Sequence, residues 1–282
     1  MSVNPPEGVD EEFQAFIRLP YERRDLTQGA LLIAKLEYPQ LAVQPYFNQL
    51  AQMEHEFKNR IQATPSVVHQ MQILTRFLYE ELGFHGNRDD YYDIKNSFLN
   101  DVLDRRMGIP ITLGILVLII GVKAGLPLFG INFPGHFMLL LKDGTNDLYF
   151  DPFDQGQPVS LLQLEQRLKS SNSQWTLKPS VHLQLMGPSW ILYRVLSNLK
   201  KNYYEHNKKI QALHALNWMM QLRPGRIKDK REKGFLLFET NQIELAEAWI
   251  IRHKMLSQKP TLDAAMLQLW WKIQVKKNNY WN

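Results

Sequence analysis

The most constraining feature of this chain is an apolar run over residues 109–122, with a proline at its second position. Pro110 suits the first turn of a helix, because the N–H that proline lacks would have no partner there. Apolar residues then lie on every side of the helix predicted over residues 111–124, so neighbouring protein must surround it. The run is shorter than the roughly 20 residues that cross a bilayer. The sequence therefore predicts a buried helix at the centre of a core.

Short β-type runs follow the glycine that ends this helix, Gly125. They cover residues 128–133, 136–141 and 148–151. Asp143 and Gly144 supply a good hairpin turn between the second run and the third. A central helix followed by antiparallel strands predicts an α+β core.

Helical patterns lie before this core. We expect an irregular lead-in over residues 1–24 and then helices over 25–37, 44–62, from 64 onwards, and 97–106. Asp25, Thr64 and Ser97 are the predicted N-caps. Beyond the core, Ser160 is expected to cap a helix to residue 169, and a strand is expected over 174–178.

The last third of the chain has a period, because Pro188, Pro224 and Pro260 fall 36 residues apart. Helices are predicted over 189–206, 208–222, 226–239, 242–257 and 262–276. Small residues in the second helices, such as Ala212 and Ala248, make these pairs similar to tetratricopeptide (TPR) repeats. A generic helical bundle is the alternative. The predicted domains are therefore 25–187, carrying the helical lead and the α+β core, and 188–282, carrying the helical tail.

Composition excludes several classes of site. The chain has no cysteine, so it forms no disulfide or thiolate metal site and has no cysteine nucleophile. Its first residues show no basic and apolar leader pattern, and we expect a cytoplasmic protein with no membrane partner. From residue 200 onwards there are 16 Lys and Arg against 7 Asp and Glu. Nucleic acid is one candidate partner for such a tail, but a solvated helical surface is the favoured explanation, because no binding motif with interleaved aromatic residues accompanies the charge.

His136 and Asp151 are the residues best placed for chemistry. The first is predicted to open one strand and the second to end the strand paired with it, so their side chains could meet. The carboxylate would then fix the imidazole tautomer and stabilise the imidazolium. A thiol partner for such a pair usually stands at the start of a buried helix, where the helix dipole lowers the thiol pKa.

Three segments together resemble the transglutaminase-like core: GIPITLGILVLIIGVKAGLPL, NFPGHFMLLL and YFDPF. They are most similar to its SirB-type branch, whose helical TPR-like tail carries an R-x-L-x-N-L-K motif, here Arg194 to Lys200. The resemblance implies a papain/transglutaminase-like fold with His136 and Asp151 in the catalytic positions. Counting back about fifteen residues from Gly125 places the family's cysteine nucleophile at Pro110, which has no nucleophilic atom.

Other residues near these motifs were weighed as replacements. Thr112 lies in the first turn of the same helix, but a threonine there more often bonds to its own backbone. His136, Asp151 and Asp154 are a poor set of metal ligands, and we expect no metal or cofactor. The remaining candidates for a binding cleft, in which the arginines would clamp an anion, are Asn96, Arg105, Arg106 and Asn132. His85 is isolated in sequence.

These patterns predict a catalytically inactive transglutaminase-like protein that acts through binding, with a protein partner docked on the helical tail. One alternative is an amide hydrolase or acyltransferase that uses Thr112 or an activated water with His136 and Asp151. The other is a nucleic-acid-associated regulator that uses the basic tail.

Overall fold

The structure is a computed structural model that describes residues 8–144, 146–256 and 264–279, without the side chains of 254–256 and 278–279. The chain forms two compact units. The core unit is Arg18–Val195, and the tail unit is Met1–Ile17 together with Leu196–Asn282. Within the described residues, every helix is too short or too polar to cross a membrane.

A five-stranded antiparallel sheet forms one layer of the core unit, in the order β6-β5-β4-β3-β7. Its strands are β3 (Leu128–Ile131), β4 (Met138–Asp143), β5 (Asn146–Asp151), β6 (Gln157–Val159) and β7 (Leu185–Met186). In the β4–β5 hairpin, Leu139 lies opposite Phe150 and Leu141 opposite Leu148. A separate parallel pair joins β1 (His85–Gly86) to β2 (Met107–Gly108).

Helix α6 (Pro110–Lys123) packs against this sheet, and its residues from Pro110 to Gly121 are all buried. Two of its glycines allow the close approach. A Cβ at Gly121 would lie 2.4 Å from Leu128 of β3, and a Cβ at Gly114 would lie 2.4 Å from the ring of Phe137. The predicted buried central helix is therefore present, with Pro110 at its first position.

The remaining helices of the core unit are α2 (Leu26–Ala34), α3 (Gln44–Ile61), α4 (Val67–Thr75), α5 (Leu99–Arg105), α7 (Leu161–Ser171) and α8 (Pro179–His182). Asp25 caps α2 and Ser160 caps α7, as predicted. The N-cap of α4 is Ser66 and not Thr64, because the Ser66 hydroxyl accepts from the His69 amide. A π-helical turn, Arg76–Glu81, continues α4.

Three expectations about local structure are wrong. Ser97 does not cap α5, since it ends a 3-10 helix, Ile94–Ser97, and Phe98 occupies the cap position. Residues 174–178 form no strand, because Leu185–Met186 pairs with the free edge of β3 instead. The lead-in contains helix α1 (Val9–Arg18), which buries Val9, Phe13 and Phe16.

The tail is helical, as predicted. Its helices are α9 (Pro188–Glu205), which begins in the core unit and continues into the tail unit, α10 (Lys209–Leu222), α11 (Ile227–Glu239), α12 (Ile243–Leu256) and α13 (Ala264–Asn279). Each helix from α10 to α13 packs on the next. Helix α1 belongs to this unit, and its Phe13 stacks on Trp218 at 3.8 Å. Pro260, the third proline of the sequence period, lies outside the described residues.

Candidate functional site

A tight turn carries His136. The His136 amide donates to the Phe133 carbonyl over 3.2 Å, with Pro134 and Gly135 between them. Gly135 has φ +73°, and proline followed by a left-handed glycine is the residue pattern of a type II turn. His136 therefore ends a turn, and β4 begins two residues later at Met138. The prediction that His136 opens a strand is wrong, because the Pro-Gly pair favours the turn.

Phe137 fixes the chain immediately after the turn. A Cβ at Gly114 of α6 would lie 2.4 Å from its ring, and a Cβ at Gly130 of β3 would lie 2.7 Å from it. The ring is therefore held between a helix and a strand at two positions where a larger side chain would collide with it. This packing positions His136 at the edge of the core.

His136 and Asp151 meet, as the sequence predicts. Nε2 of His136 lies 2.8 Å from Oδ1 of Asp151. An ionised carboxylate only accepts hydrogen bonds, so Nε2 carries a proton, and in the neutral form of the ring the lone pair lies on Nδ1. The imidazole is 22% exposed, whereas the carboxylate is 4% exposed. The pair thus presents a partly exposed ring whose orientation is fixed by a buried acid.

Asp151 accepts two further hydrogen bonds. Nη1 of Arg167 lies 2.5 Å from Oδ2, and the Phe153 amide donates to Oδ1 over 2.9 Å. Burial alone would raise the pKa of Asp151, but the hydrogen bond and charge of His136, followed by the bonds from Arg167 and Phe153, lower that pKa to about 2. The carboxylate is therefore ionised at neutral pH.

An open cleft of about 480 Å³ lies over this pair. Its lining includes His136, Phe153 and Arg167, together with Arg88 and Asp154. Arg88 bonds to Asp154 over 3.0 Å and lies 5.2 Å above the Phe153 ring. Asp154 is thus ion-paired, and among the described residues no group of three His, Asp or Glu side chains could hold a metal.

Thr112 lies in the first turn of α6 and is 1% exposed. Its hydroxyl donates to the Asn96 carbonyl over 2.7 Å and accepts from the Ile109 amide over 3.1 Å. Both the proton and a lone pair of Oγ1 are therefore used inside the protein. These contacts favour a structural role that ties the start of α6 to the segment before it.

Two of the other residues predicted for the cleft, Asn96 and Arg105, lie outside its lining. Asn96 is fully buried and donates to the Asp90 carbonyl over 2.8 Å. Arg105 pairs with Asp93 over 2.7 Å. Neither Asn96 nor Arg105 lines the cleft over His136.

Arg106, Asn132 and His85 also have local roles. Arg106 ends α5 with φ 57° and donates to the Leu82 carbonyl over 2.9 Å. The Asn132 side chain accepts from Arg194 over 2.9 Å, and Nδ1 of His85 lies 3.1 Å from the Gly83 carbonyl.

Arg167 is the site residue that the sequence reasoning missed. It lies on α7 between Leu164 and Leu168, which are both fully buried. Residues three apart share one helical face, so Arg167 lies on the same face as Leu164, with its side chain 40% exposed. A charge on an apolar stripe is the signal that could have identified it.

These features can be compared with those of known proteins. The family model described as the transglutaminase-like superfamily matches residues 44–197, which contain α6, the turn and both members of the His–Asp pair. The chain belongs to the transglutaminase-like superfamily. No solved structure matches it significantly.

Bacterial relatives match over most of the chain. A UPF0162 protein of Xylella fastidiosa strain 9a5c is 31% identical over 216 residues, which cover 76% of this chain and 77% of the relative. A UPF0162 protein of Vibrio cholerae is 31% identical over 249 residues, covering 86% and 88%. F-box only protein 21 of Homo sapiens is 38% identical over 96 residues, covering 31% of this chain and 15% of that protein. This transglutaminase-like chain therefore shares most of its length with the bacterial relatives and one segment with the human protein.

Proposed function

We propose that this protein is a transglutaminase-like protein that performs no thiol-based acyl transfer and acts by binding, with the cleft over His136 as its ligand site. One observation carries the proposal. The chain contains no cysteine, and Pro110 occupies the position to which the family's nucleophile maps. The hydrogen bonds that Asp151 accepts from His136 and Arg167 are nevertheless present. Such a site keeps the orientation and charge of a catalytic pair without the atom that attacks the substrate.

The finer assignment that we propose is the SirB-type branch, with a TPR-like tail that docks a protein partner. Support comes from the NFPGHF and DPF segments at the site and from the packing of α10 to α13 in sequence. The basic charge of the tail gives less support to a nucleic-acid partner, because several of its lysines form ion pairs within the unit. Lys200 pairs with Glu232, and Lys277 pairs with Glu247 over 2.6 Å.

A turnover assay tests the proposal. The full chain is incubated with a glutamine-containing peptide and a primary amine, and mass spectrometry follows cross-linked and deamidated product. We expect no product above a control without protein. Product formation that His136→Ala abolishes, and that the exposed variant Arg76→Gln retains, would overturn the proposal.

A second candidate function is hydrolysis by an activated water. The observation in its favour is that His136 bonds to Asp151 through Nε2 and lines an open cleft. In the neutral ring this leaves Nδ1 with a lone pair, and such a nitrogen can take a proton from water. Activated ester and amide substrates test it. Hydrolysis lost in His136→Ala but retained in Thr112→Val would support the water mechanism. Hydrolysis at equal rates in both variants and the parent chain would remove it.

A further inference from the structure

Arg194 holds the turn that carries His136. Its Nη1 donates to the Asn132 side chain over 2.9 Å. Its Nη2 donates to the Phe133 carbonyl over 3.3 Å and to the His136 carbonyl over 2.5 Å. One guanidinium therefore bonds to both ends of the turn and to the residue before it.

The same guanidinium lies 6.0 Å from the Phe137 ring centroid, so it also contacts the residue after His136. Phe137 is packed against Gly114 and Gly130. On the other side of the turn, the backbone N–H of Asn132 donates to the Gln184 carbonyl over 3.0 Å. The backbone is thus anchored on both sides of the turn. Between these two anchors, the Arg194 side chain bonds to Asn132, Phe133 and His136.

Among the residues that the structure describes, Arg194 has no acidic partner, and its hydrogen bonds go to neutral acceptors. Burial lowers the pKa of Arg194 to about 10. Placing a cation here without a carboxylate is costly, since a charge that leaves water needs compensation. The planar fork of a guanidinium can reach several acceptors at fixed angles, which lysine cannot do.

We propose that Arg194 is the positioning residue of the site: it fixes the 132–136 turn so that His136 presents Nε2 to Asp151 and keeps Nδ1 for a ligand in the cleft. The inference rests on the proposed binding function of this cleft. It assigns a role to the arginine of the tail motif, whose side chain lies in the core unit and not in the tail unit. Arg194 itself is not expected to touch a ligand.

The imidazole tautomer tests this role directly. Long-range ¹H–¹⁵N spectra of the ¹⁵N-labelled full chain at pH 8 report which ring nitrogen is protonated, and His136→Gln identifies the His136 signals. We expect the parent chain to show one tautomer, protonated on Nε2. Arg194→Gln should lose that single pattern and show a mixture of both tautomers, and Arg194→Lys should not restore it.

Two further variants keep the test decisive. Arg76→Gln, an exposed arginine away from the cleft, should keep the parent pattern. Asn132→Ala removes one acceptor and should give a smaller change in the same direction if Arg194→Gln does not fold. A folded Arg194→Gln or Arg194→Lys chain that keeps the parent tautomer would overturn the proposal. If both arginine variants fail to fold, an Asn132→Ala spectrum that is the same as the parent's would also overturn it. Because the measurement uses no substrate, its outcome is independent of the turnover assay.

Discussion

At the residue scale, Asp151 connects the stability of the core unit to its candidate site. It is 3% exposed. It accepts hydrogen bonds from the imidazole of His136, the guanidinium of Arg167 on α7 and the backbone N–H of Phe153. An ionised buried carboxylate is stable only where such partners compensate the lost hydration. The group that orients His136 therefore also joins α7 to the end of β5.

Replacing Asp151 by asparagine should lower stability in a pH-dependent manner. The folded pKa of Asp151 is about 2 against an ordinary value of 3.8, so ionisation stabilises the fold above about pH 4. That contribution, about 2 kcal/mol, is lost as the pH falls from about 4 to about 2. Urea denaturation of Asp151→Asn and the parent chain should therefore differ most at pH 6 and converge in acid.

Asp154→Asn is the matched control, because this carboxylate is 54% exposed and exposed pairs contribute little. Its difference from the parent chain should be small at every pH. A stability difference for Asp151→Asn that is the same at pH 6 and pH 2.5 would contradict the assigned pKa.

Thr112→Val should lower the free energy of unfolding without changing the binding of a ligand in the cleft over His136. Valine keeps the shape but leaves the Ile109 amide and the Asn96 carbonyl without a partner, which costs about 1–3 kcal/mol. Thr112→Ser keeps the hydroxyl and should lose much less. Urea denaturation of the three chains measures this, and a valine variant as stable as the parent would show that these hydrogen bonds contribute nothing.

At the element scale, helix α7 delivers Arg167 to the site. Ser160 and Gln163 form a capping box at its start, with the Ser160 hydroxyl accepting from the Gln163 amide over 3.2 Å. The cap fixes where the helix begins, and Arg167 follows on the face that carries Leu164 and Leu168. The geometry at Asp151 therefore depends on a helix start that is exposed and distant in sequence from the turn.

Ser160→Ala should lower the free energy of unfolding by about 1 kcal/mol, the usual value of a serine N-cap. Ser170→Ala is the control, because its hydroxyl only bonds back to the Gln166 carbonyl of the same helix. Urea midpoints of the two variants provide the comparison. Equal midpoints would mean that the capping box adds no stability.

Much of this element structure could be predicted from the sequence, for identifiable reasons. The all-apolar pattern of α6 and the Asp143-Gly144 turn are local signals, and both elements are present. Partner choice is not local. Strand β7 pairs with the edge of β3 although it is only two residues long, Leu185–Met186. The sequence pattern favours a strand over residues 174–178 instead.

The candidate site divides in the same way. The meeting of His136 with Asp151 was predictable, because the β4–β5 hairpin brings the residues before β4 next to the end of β5. The turn before β4 differs from the prediction that His136 opens a strand, because Pro134 and Gly135 favour a turn there. The roles of Arg167 and Arg194 were not predicted, because both depend on how a helix packs against the site, which no local sequence pattern specifies.

At the scale of the whole molecule, the chain divides into two units whose boundaries differ from the predicted domains. Residues Pro188–Val195 of α9 belong to the core unit, and the N-terminal helix α1 belongs to the tail unit. Phe13 of α1 is fully buried and stacks on Trp218, whose Nε1 donates to Asp10 over 2.8 Å. Helix α1 therefore contributes to the core of the tail unit.

Phe13→Ala should accordingly destabilise the tail unit by about 3–5 kcal/mol, the usual cost of removing a buried phenylalanine. Urea denaturation monitored by tryptophan fluorescence measures the loss. Glu11→Ala, on the exposed side of the same helix, should have little effect. A Phe13→Ala chain with the parent's transition would contradict the assignment of α1 to this unit.

We propose that the fold keeps the frame of a Cys-His-Asp site with proline at the nucleophile position. Since the chain has no cysteine, Pro110→Cys would introduce a single thiol at the start of α6. Val122→Cys, near the other end of the same helix and 50% exposed, is the control. Titration of thiolate absorbance then reports the pKa of each thiol.

The helix start and His136 should lower the pKa of the Pro110→Cys thiol well below the ordinary value of about 8.5. Adding His136→Ala should raise that pKa again, and the Val122→Cys thiol should titrate at or above the ordinary value. A Pro110→Cys thiol that titrates at about 8.5 or higher, with or without His136, would contradict the claim that Pro110 stands in the nucleophile's place.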